Sequence, residues 1–177
     1  MMTTDTESLL RNLLRIPEAE QFLAWPGDFE PSRAGHGEPI RLPCGAPLQP
    51  IAGDGGGGTY YQVGTGDSAN RPVLYASSEG EGGLIAESLA EALELLIGLP
   101  YWQDCLPGRG FPLEGLEADY RETFRDLDER RDRVAAVLGL DRPAAGALVA
   151  RLHASVARST PHYVPHTEYG LSYAPLG

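Results

Sequence analysis

The sequence predicts an α+β fold with a mainly antiparallel sheet, helices packed against it and a C-terminal helical hairpin. Short β-type segments follow one another closely between positions 39 and 86 with Gly and Asp clusters between them, and this spacing favours hairpins over crossover connections. Leucine stripes at three- and four-residue steps on both sides of that region predict helices. A chain of 177 residues can bury a core without disulfides. We expect one domain, with its core at about 1–104, a helical extension at about 112–157 and an irregular tail at 158–177.

The N-terminal region predicts two helices. The residues Thr4-Asp5-Thr6-Glu7 fit a capping box, which is typical of a helix start. An apolar stripe at helical spacing follows, formed by Leu9, Leu10, Leu13 and Leu14. Pro17 suits the first turn of a second helix that runs through Trp25, and Pro26-Gly27 ends it. The segment 27–37 is rich in Gly, Pro and charge, which predicts a loop.

The middle of the chain predicts strands followed by a helix. The candidate strands are Pro39–Leu42, Leu48–Ala52, Thr59–Val63, Val73–Ala76 and Gly83–Ala86. The residues Ser88-Leu89-Ala90-Glu91 form another capping box, and the helix that it opens has one apolar face. Gly98 is expected to be the residue just after this helix, since Pro100 follows as a stop.

The C-terminal third predicts the helical hairpin. Its first stripe consists of Leu113, Leu116, Tyr120, Phe124, Leu127, Val134 and Leu138. Gly139 is expected to end this arm, and Asp141 to N-cap a second arm that extends to Val156. The tail from Thr160 contains prolines, histidines and tyrosines, and we expect it to be extended, either docked or loose.

The charge of the chain narrows the classes of function. The net charge is −11 with a sequence pI of about 4.7, which disfavours nucleic acid as a partner and favours a basic protein. All 14 basic residues are arginines, so a Walker A lysine and a Schiff-base lysine are excluded. The N-terminus has no basic region typical of a signal peptide, and the longest apolar stretch is far shorter than the ~20 residues of a membrane span. We therefore expect a cytoplasmic protein without a membrane partner.

One stretch resembles a known family. It reads PLQPIAGDGGGGTYYQVG and, a few residues later, RPVLYASSEGEGGLIAESLAEALELL. The order of an acidic glycine-rich turn, an aromatic strand, a further strand and a capped helix resembles the core of the SUKH superfamily, the SMI1/KNR4-like group. The likeness covers roughly a third of the chain. The sequence departs from the family pattern where the helix opens, since Leu89 stands in place of the usual aromatic residue.

The resemblance implies an α+β fold and a non-catalytic binding role. Members of the superfamily include immunity proteins, which neutralise toxins that are often nucleases, and regulatory scaffold proteins. The candidate binding residues are Asp54, Gly55, Gly56, Tyr60, Tyr61, Glu79 and Glu81. Tyr60 and Tyr61 are neighbours on one strand and must point to opposite faces, so we expect one of them to face outward, where a partner could use it.

Other chemistries were weighed against structural explanations. The run Asp54-Gly55-Gly56-Gly57-Gly58 could cradle a phosphate, but a bulged turn capped by Asp54 is favoured because an acid leads the run and a strand follows. Glu79 and Glu81 could bind Ca²⁺ or perform acid–base work, but a solvated acidic turn that contacts a basic partner is favoured. His162 and His166 are four apart, but the prolines beside them break a metal-binding helix. Neither cysteine has a neighbouring histidine in the sequence.

Three hypotheses for the function remain. The first is an immunity protein that binds a toxin, such as a basic one, through an acidic surface near Asp54, Glu79 and Glu81. The second is a regulatory scaffold of envelope or signalling processes. The third, an enzyme for a small molecule, needs a deep pocket with convergent titratable groups. We expect no catalytic residues, cofactor or metal, and the sequence leaves a homodimer open.

Overall fold

The computed structural model describes residues 6–66 and 71–177, and their architecture is the predicted α+β fold. The capping box predicted at Thr4–Glu7 depends on side chains outside the described part. The helices are α1 (Thr6–Arg15), α2 (Pro17–Ala24), α3 (Leu89–Gly98), α4 (Leu113–Thr123), α5 (Leu127–Leu138) and α6 (Ala145–Arg158). A 3₁₀ turn at Pro31–Arg33 and a second one at Trp102–Cys105 lie in the connections.

The strands form one sheet of four and one of two. In the larger sheet, β2 (Leu48–Gly53), β3 (Thr59–Val63), β4 (Val73–Ala76) and β5 (Gly82–Ala86) pair antiparallel in sequence order. The short β1 (Ile40–Arg41) pairs instead with β6 (His166–Thr167) from the tail. The predicted strands are therefore present, but the first belongs to a separate sheet, and the tail is docked.

One face of the four-stranded sheet packs on the helices. Tyr60, Tyr75 and Ile85 point to this side and join a buried cluster with apolar residues of α1, α2, α3, α5 and α6. Phe22, Leu93 and Leu152 are among the residues that these helices bury completely. Removal of this apolar surface from water is the main stabilisation of the fold.

The opposite face of the sheet is also covered. Tyr61, Leu74 and Leu84 point to this side, where they pack against Leu42 and Val164. Because the tail and the small sheet cover this face, β3, β4 and β5 are buried along their whole length. Such burial on both sides is unusual for an antiparallel sheet, which commonly keeps one face in water.

The ends of α3 show one confirmed and one wrong prediction. The Ser88 hydroxyl accepts a hydrogen bond from the backbone N–H of Glu91 (3.2 Å), as predicted for an N-cap. Gly98 is the last helical residue and Leu99 is the C-cap, so Gly98 does not occupy the position after the helix. A Cβ at Gly98 would lie 2.2 Å from Cδ1 of Leu148 in α6, so any larger residue there has to displace this buried side chain from between the two helices.

Replacement of Gly98 by alanine is therefore expected to destabilise the protein by about 1–3 kcal/mol through overpacking, although alanine is the better helix former. Gly146 in α6 provides a matched control, since a Cβ there has open space around it. Gly146→Ala should stabilise by up to about 1 kcal/mol. Urea unfolding of both variants checks the pair, and equal effects of the same sign would contradict the packing argument.

The C-terminal helices differ from the prediction in two details. The first predicted arm is divided into α4 and α5 by a break at residues 124–126. Gly139 ends α5 in the left-handed conformation (φ 69°), as predicted. Asp141 is not an N-cap, because α6 begins at Ala145, and its backbone N–H donates instead to the Glu94 carboxylate (3.1 Å).

The buried Arg131 joins α3, α4 and α5. Its guanidinium donates to the carbonyl oxygens of Ile97 and Gly98 (both 3.0 Å), which lie at the end of α3. It also pairs with the Glu117 carboxylate of α4 at 2.6 Å. The hydroxyl of Tyr101 donates to the same carboxylate. Arg131 thus satisfies carbonyls that a helix end leaves without an intrahelical partner.

Candidate functional site: an acidic cleft beside an aromatic cleft

Asp54 organises the glycine-rich turn between β2 and β3. Its side chain is 5% exposed, and its Oδ1 accepts hydrogen bonds from the N–H groups of Gly56 (3.0 Å) and Gly58 (2.7 Å). These are the donors that a phosphate cradle would need, and the protein's own carboxylate occupies them. The turn is therefore capped by Asp54, as the structural interpretation predicted.

The second oxygen of Asp54 is also used. Oδ2 accepts a hydrogen bond from the Tyr75 hydroxyl at 2.5 Å. Burial, together with this bond and the charge of Asp54, raises the pKa of Tyr75. The Gln103 side chain donates a hydrogen bond to the Tyr75 hydroxyl oxygen (3.4 Å). Both carboxylate oxygens of Asp54 thus hold the fold together, which leaves this group poorly placed for acid–base chemistry.

Asp28 connects the turn to the end of α2. It has a positive φ of 53°, a conformation in which Asp and Asn are among the few tolerated residues. Its Oδ1 accepts a hydrogen bond from the Gly55 N–H (2.8 Å). Burial raises the pKa of the Asp28 carboxyl, the Gly55 bond opposes this rise, the negative charges of Asp54 and Glu30 add to it, and the charge of Arg33 opposes it. Two carboxylates therefore lie close together, and their repulsion is relieved only in part.

The turn between β4 and β5 brings two more carboxylates to the same place. The Ser77 hydroxyl accepts hydrogen bonds from the N–H groups of Glu79 (3.3 Å) and Glu81 (3.0 Å). The Ser78 hydroxyl donates to the Gly56 carbonyl (2.8 Å), so the two turns are bonded to each other. Five of the seven residues proposed from the sequence, Asp54, Gly55, Gly56, Glu79 and Glu81, therefore lie on these two turns at one end of the sheet.

Four of these five residues, all except Gly55, line a cleft of about 250 Å³, which we name the acidic cleft. Its lining contains Asp28, Asp54, Glu79 and Glu81, with Arg109 as the basic residue among them. Arg109 pairs with Glu81 at 3.1 Å, and both side chains are partly exposed, so this pair adds little stability. The cleft therefore has a strong excess of negative charge in a concave surface, where fields are focused.

The two tyrosines proposed as binding residues do not belong to this surface. Tyr60 and Tyr61 point to opposite faces of the sheet, as expected, but they are only 1% and 6% exposed. The prediction that one of them faces outward is wrong, because the tail covers the face on which Tyr61 lies. Tyr61 is therefore a core residue.

A second cleft was not foreseen from the sequence. It has a volume of about 230 Å³, and we name it the aromatic cleft. Its aromatic lining consists of Trp25, Tyr60, Tyr101, Trp102 and Tyr120. Asp28 and Asp104 also line it, and Asp28 and Gln103 are shared with the acidic cleft. The sequence Trp25-Pro26-Gly27-Asp28, in which a Trp precedes a Pro-Gly turn, was a signal, but the sequence does not show that the segments around 101 and 120 meet it.

The cysteines differ in their surroundings. Cys44 is exposed, whereas Cys105 is partly buried. Burial and the charges of Asp104 and Glu117 raise the pKa of the Cys105 thiol to about 11. His153 points its Nε2 at the Cys105 carbonyl oxygen (2.7 Å) and not at a thiolate. Because the thiolate is the nucleophile, Cys105 is poorly suited to nucleophilic catalysis at neutral pH.

This difference predicts two classes of thiol. At pH 8, Cys44 should react with a disulfide reagent at the rate of an exposed thiol, whereas Cys105 should react at least tenfold more slowly. The thiolate fraction falls about tenfold with each unit by which the pKa exceeds the pH, and the greater nucleophilicity of a more basic thiolate offsets only part of this loss. The Cys44→Ser variant identifies the slow phase. Two fast thiols in the native protein would contradict the assignment.

Metal-binding and membrane-spanning features were also sought in the described residues. Within 6–66 and 71–177, no group of three or more His, Cys, Asp and Glu side chains is arranged to hold a metal ion. His166 lies in β6, where its Nδ1 is 3.0 Å from the Thr167 carbonyl oxygen. In the same ranges, no helix has the length and apolar character that crossing a membrane requires.

Comparison of the whole chain with protein-family models, with curated proteins and with solved structures finds no significant match.

Proposed function

We propose that this chain is a non-catalytic protein-binding module that recognises a basic protein through the acidic cleft. One observation carries the proposal: two turns that are bonded to each other hold Asp54, Glu79 and Glu81 around one concave surface. A preformed surface of this kind steers an oppositely charged partner and does not need to be ordered on binding. The net charge of −11 also attracts a basic partner at long range.

The SUKH-like stretch supports a more specific proposal, an immunity protein that neutralises a toxin. The residues of that resemblance form the two turns and the strands that support them, so the likeness and the cleft concern the same part of the fold. Many nuclease toxins need basic surfaces for their substrates, and an acidic cleft is complementary to such a surface. The alternative, a regulatory scaffold, uses the same surface with a partner that is not toxic.

The test is an affinity capture from native lysate with three baits: the wild type, a variant of the cleft and a variant with the same change of net charge elsewhere. The wild-type chain is compared with Glu79→Gln/Glu81→Gln, and Glu20→Gln/Glu129→Gln is the control for net charge, since its exposed positions on α2 and α5 lie outside the cleft lining. We expect a basic protein to be retained by the wild type and the control at low salt, and lost at high salt and from the cleft variant. Retention of the same proteins by the cleft variant would contradict the proposal.

Co-expression then separates the two roles. A captured basic partner is expressed alone and together with the chain. An immunity role predicts that the partner alone arrests growth and that the wild-type chain, but not Glu79→Gln/Glu81→Gln, relieves the arrest. A partner that is harmless on its own would favour the scaffold role.

A further inference from the structure

The aromatic cleft has an open rim of rings in edge-to-face and tilted contact. Trp25 is 62% exposed, and its ring meets Phe124 edge to face with centroids 6.0 Å apart. Tyr120 contacts both Phe124 (5.9 Å) and Tyr101 (5.0 Å). A large exposed Trp on such a row is a feature of binding surfaces, because aromatic residues dominate the energetics of interfaces.

Negative charge lies against these rings. Asp28 and Asp104 line the cleft together with Trp25 and Tyr120. Burial raises the pKa of the Tyr120 hydroxyl, and the charges of Asp104 and Asp28 raise it further, so both carboxylates act on this ring. The nearby Arg130 does not neutralise them, since its guanidinium lies over the Phe22 ring (5.2 Å) and donates to the Trp25 carbonyl oxygen (3.4 Å).

A buried polar atom in the lining also lacks a partner. Tyr60 is 1% exposed, it lines the aromatic cleft, and its hydroxyl has no hydrogen-bond partner among the described residues. The Trp102 side chain lies near enough to moderate the rise in the pKa of Tyr60 that burial causes, but not in hydrogen-bonding geometry. A buried hydroxyl left unbonded costs free energy, and a phenolic oxygen can accept as well as donate.

We propose that the aromatic cleft binds an arginine side chain presented by a protein partner. Aromatic faces attract a cation, and the planar guanidinium is the cation that stacks best on them. Its five N–H donors can serve the carboxylates of Asp28 and Asp104 at the same time, and a shift of the lining that opens the fully buried Tyr60 oxygen adds a third acceptor. A quaternary ammonium ion has no such donors, so it would leave the Tyr60 hydroxyl unbonded.

This inference rests on the proposed function for the kind of partner, but its chemistry stands on the cleft alone. The two clefts share Asp28 and Gln103, so a partner that inserts one arginine into the aromatic cleft can place further basic residues in the acidic cleft. Because hot spots of interfaces are enriched in Arg and in its aromatic partners, we expect the aromatic cleft to hold the partner and the acidic cleft to attract it.

The test titrates the full chain with three capped pentapeptides, Gly-Gly-X-Gly-Gly, in which X is arginine, lysine or citrulline. The two tryptophans give two indole N–H signals in ¹⁵N-correlated NMR spectra, and Trp25→Phe assigns them. We expect the Arg peptide to shift the Trp25 signal in a saturable way in the millimolar range, as expected for a single side chain. The citrulline peptide, which has the shape without the charge, should cause no saturable shift, and the lysine peptide should bind more weakly than the Arg peptide.

Two variants locate the binding. Asp28→Asn keeps an acceptor for the Gly55 N–H and tolerates the positive φ, so the fold should be retained while affinity for the Arg peptide falls about tenfold. Asp104→Asn should also lower the affinity for the Arg peptide. Asp132 is an exposed residue of α5 outside the lining, so Asp132→Asn should leave this affinity unchanged. Far-UV circular dichroism and the Tm of each variant verify folding.

Equal shifts with citrulline and arginine, or no saturable shift at about 20 mM Arg peptide, well above the range expected for one side chain, would overturn the arginine site. The acidic-cleft proposal would survive that result if its capture experiment succeeds. If the Arg peptide binds but Trp25→Ala retains every captured partner, the cation chemistry of the cleft stands and its assignment to a protein partner is wrong.

Discussion

Replacing Arg131 by methionine is expected to lower the free energy of unfolding by about 3–5 kcal/mol, the range typical of removing one partner of a buried ion pair. The guanidinium is 2% exposed, and it serves four acceptor groups: the carbonyl oxygens of Ile97 and Gly98 and the carboxylates of Glu117 and Asp128. Without it, the partly buried Glu117 carboxylate keeps only the exposed Arg121 (3.2 Å) as a charge partner. The carbonyl oxygens of Ile97 and Gly98 lose their side-chain donors at the same time.

Urea unfolding of Arg131→Met measures this loss, and Arg125→Met provides the control. Arg125 is exposed in the break between α4 and α5, so its replacement should change stability by no more than about 0.5 kcal/mol. If the double variant Glu117→Leu/Arg131→Met recovers much of the stability, the loss is due to the unpaired charge. A loss of less than about 1 kcal/mol in Arg131→Met would contradict the anchoring role of this residue.

The same pair predicts a dependence of stability on acid pH. Burial alone would raise the pKa of Glu117, but the hydrogen bonds from Arg131 and Tyr101 outweigh it and lower this pKa below its ordinary value of 4.5. A carboxyl with a lowered pKa in the folded state stabilises above the unfolded pKa, and that stabilisation is lost as the pH falls through the folded pKa. As the pH is lowered from 6, the urea midpoint should therefore begin to decrease at about pH 4.5. It should decrease less steeply with pH in Arg131→Met.

Replacing Asp54 by alanine is expected to cost about 3 kcal/mol, since hydrogen bonds to charged groups contribute about 1.5–3 each and desolvation of the carboxylate offsets part of the sum. The substitution leaves the buried Tyr75 hydroxyl and the N–H of Gly58 without their acceptor. The turn should then lose its shape, and with it the position of Ser78 and the acidic cleft. Chemical denaturation and capture of the basic partner both report this change.

Two variants separate stability from charge at this position. Asp54→Asn keeps Oδ1 as an acceptor for Gly56 and Gly58 and should lose roughly half as much stability as the alanine variant. Glu79→Ala removes one exposed charge from the cleft and should leave stability within about 0.5 kcal/mol of the wild type. If Asp54→Ala unfolds like the wild type, the carboxylate does not stabilise the turn, and its burial has to be explained by binding.

The strands and helices could be predicted because their signals are local. Gly and Asp clusters separate the strands, and the caps of α3 and α5 lie within a few residues of the helix ends. The break between α4 and α5 was missed because the apolar stripe of Leu116, Tyr120, Phe124 and Leu127 continues through it at helical spacing. Gly98 was misread because close packing against Leu148 and a turn after a helix require the same residue type.

The candidate site was only partly predictable, because local sequence signals do not show which distant segments meet. The residues of the two turns could be named because each turn is continuous in the sequence. The position of Tyr61 could not, since the tail that covers it lies about a hundred residues away and has no periodic pattern. The aromatic cleft joins the segments around Trp25, Tyr101 and Tyr120, and only tertiary structure brings these together.

The coverage of the sheet by the tail has a consequence for biosynthesis. The four strands of the large sheet are joined by short local connections, so they can pair soon after they leave the ribosome. Their second face, with Tyr61, Leu74 and Leu84, is covered only in part, by Leu42 and its neighbours, until Val164 and Tyr173 have been synthesised. During that interval the nascent chain exposes part of an apolar sheet surface, and chaperone holding is therefore expected to raise the yield of folded protein.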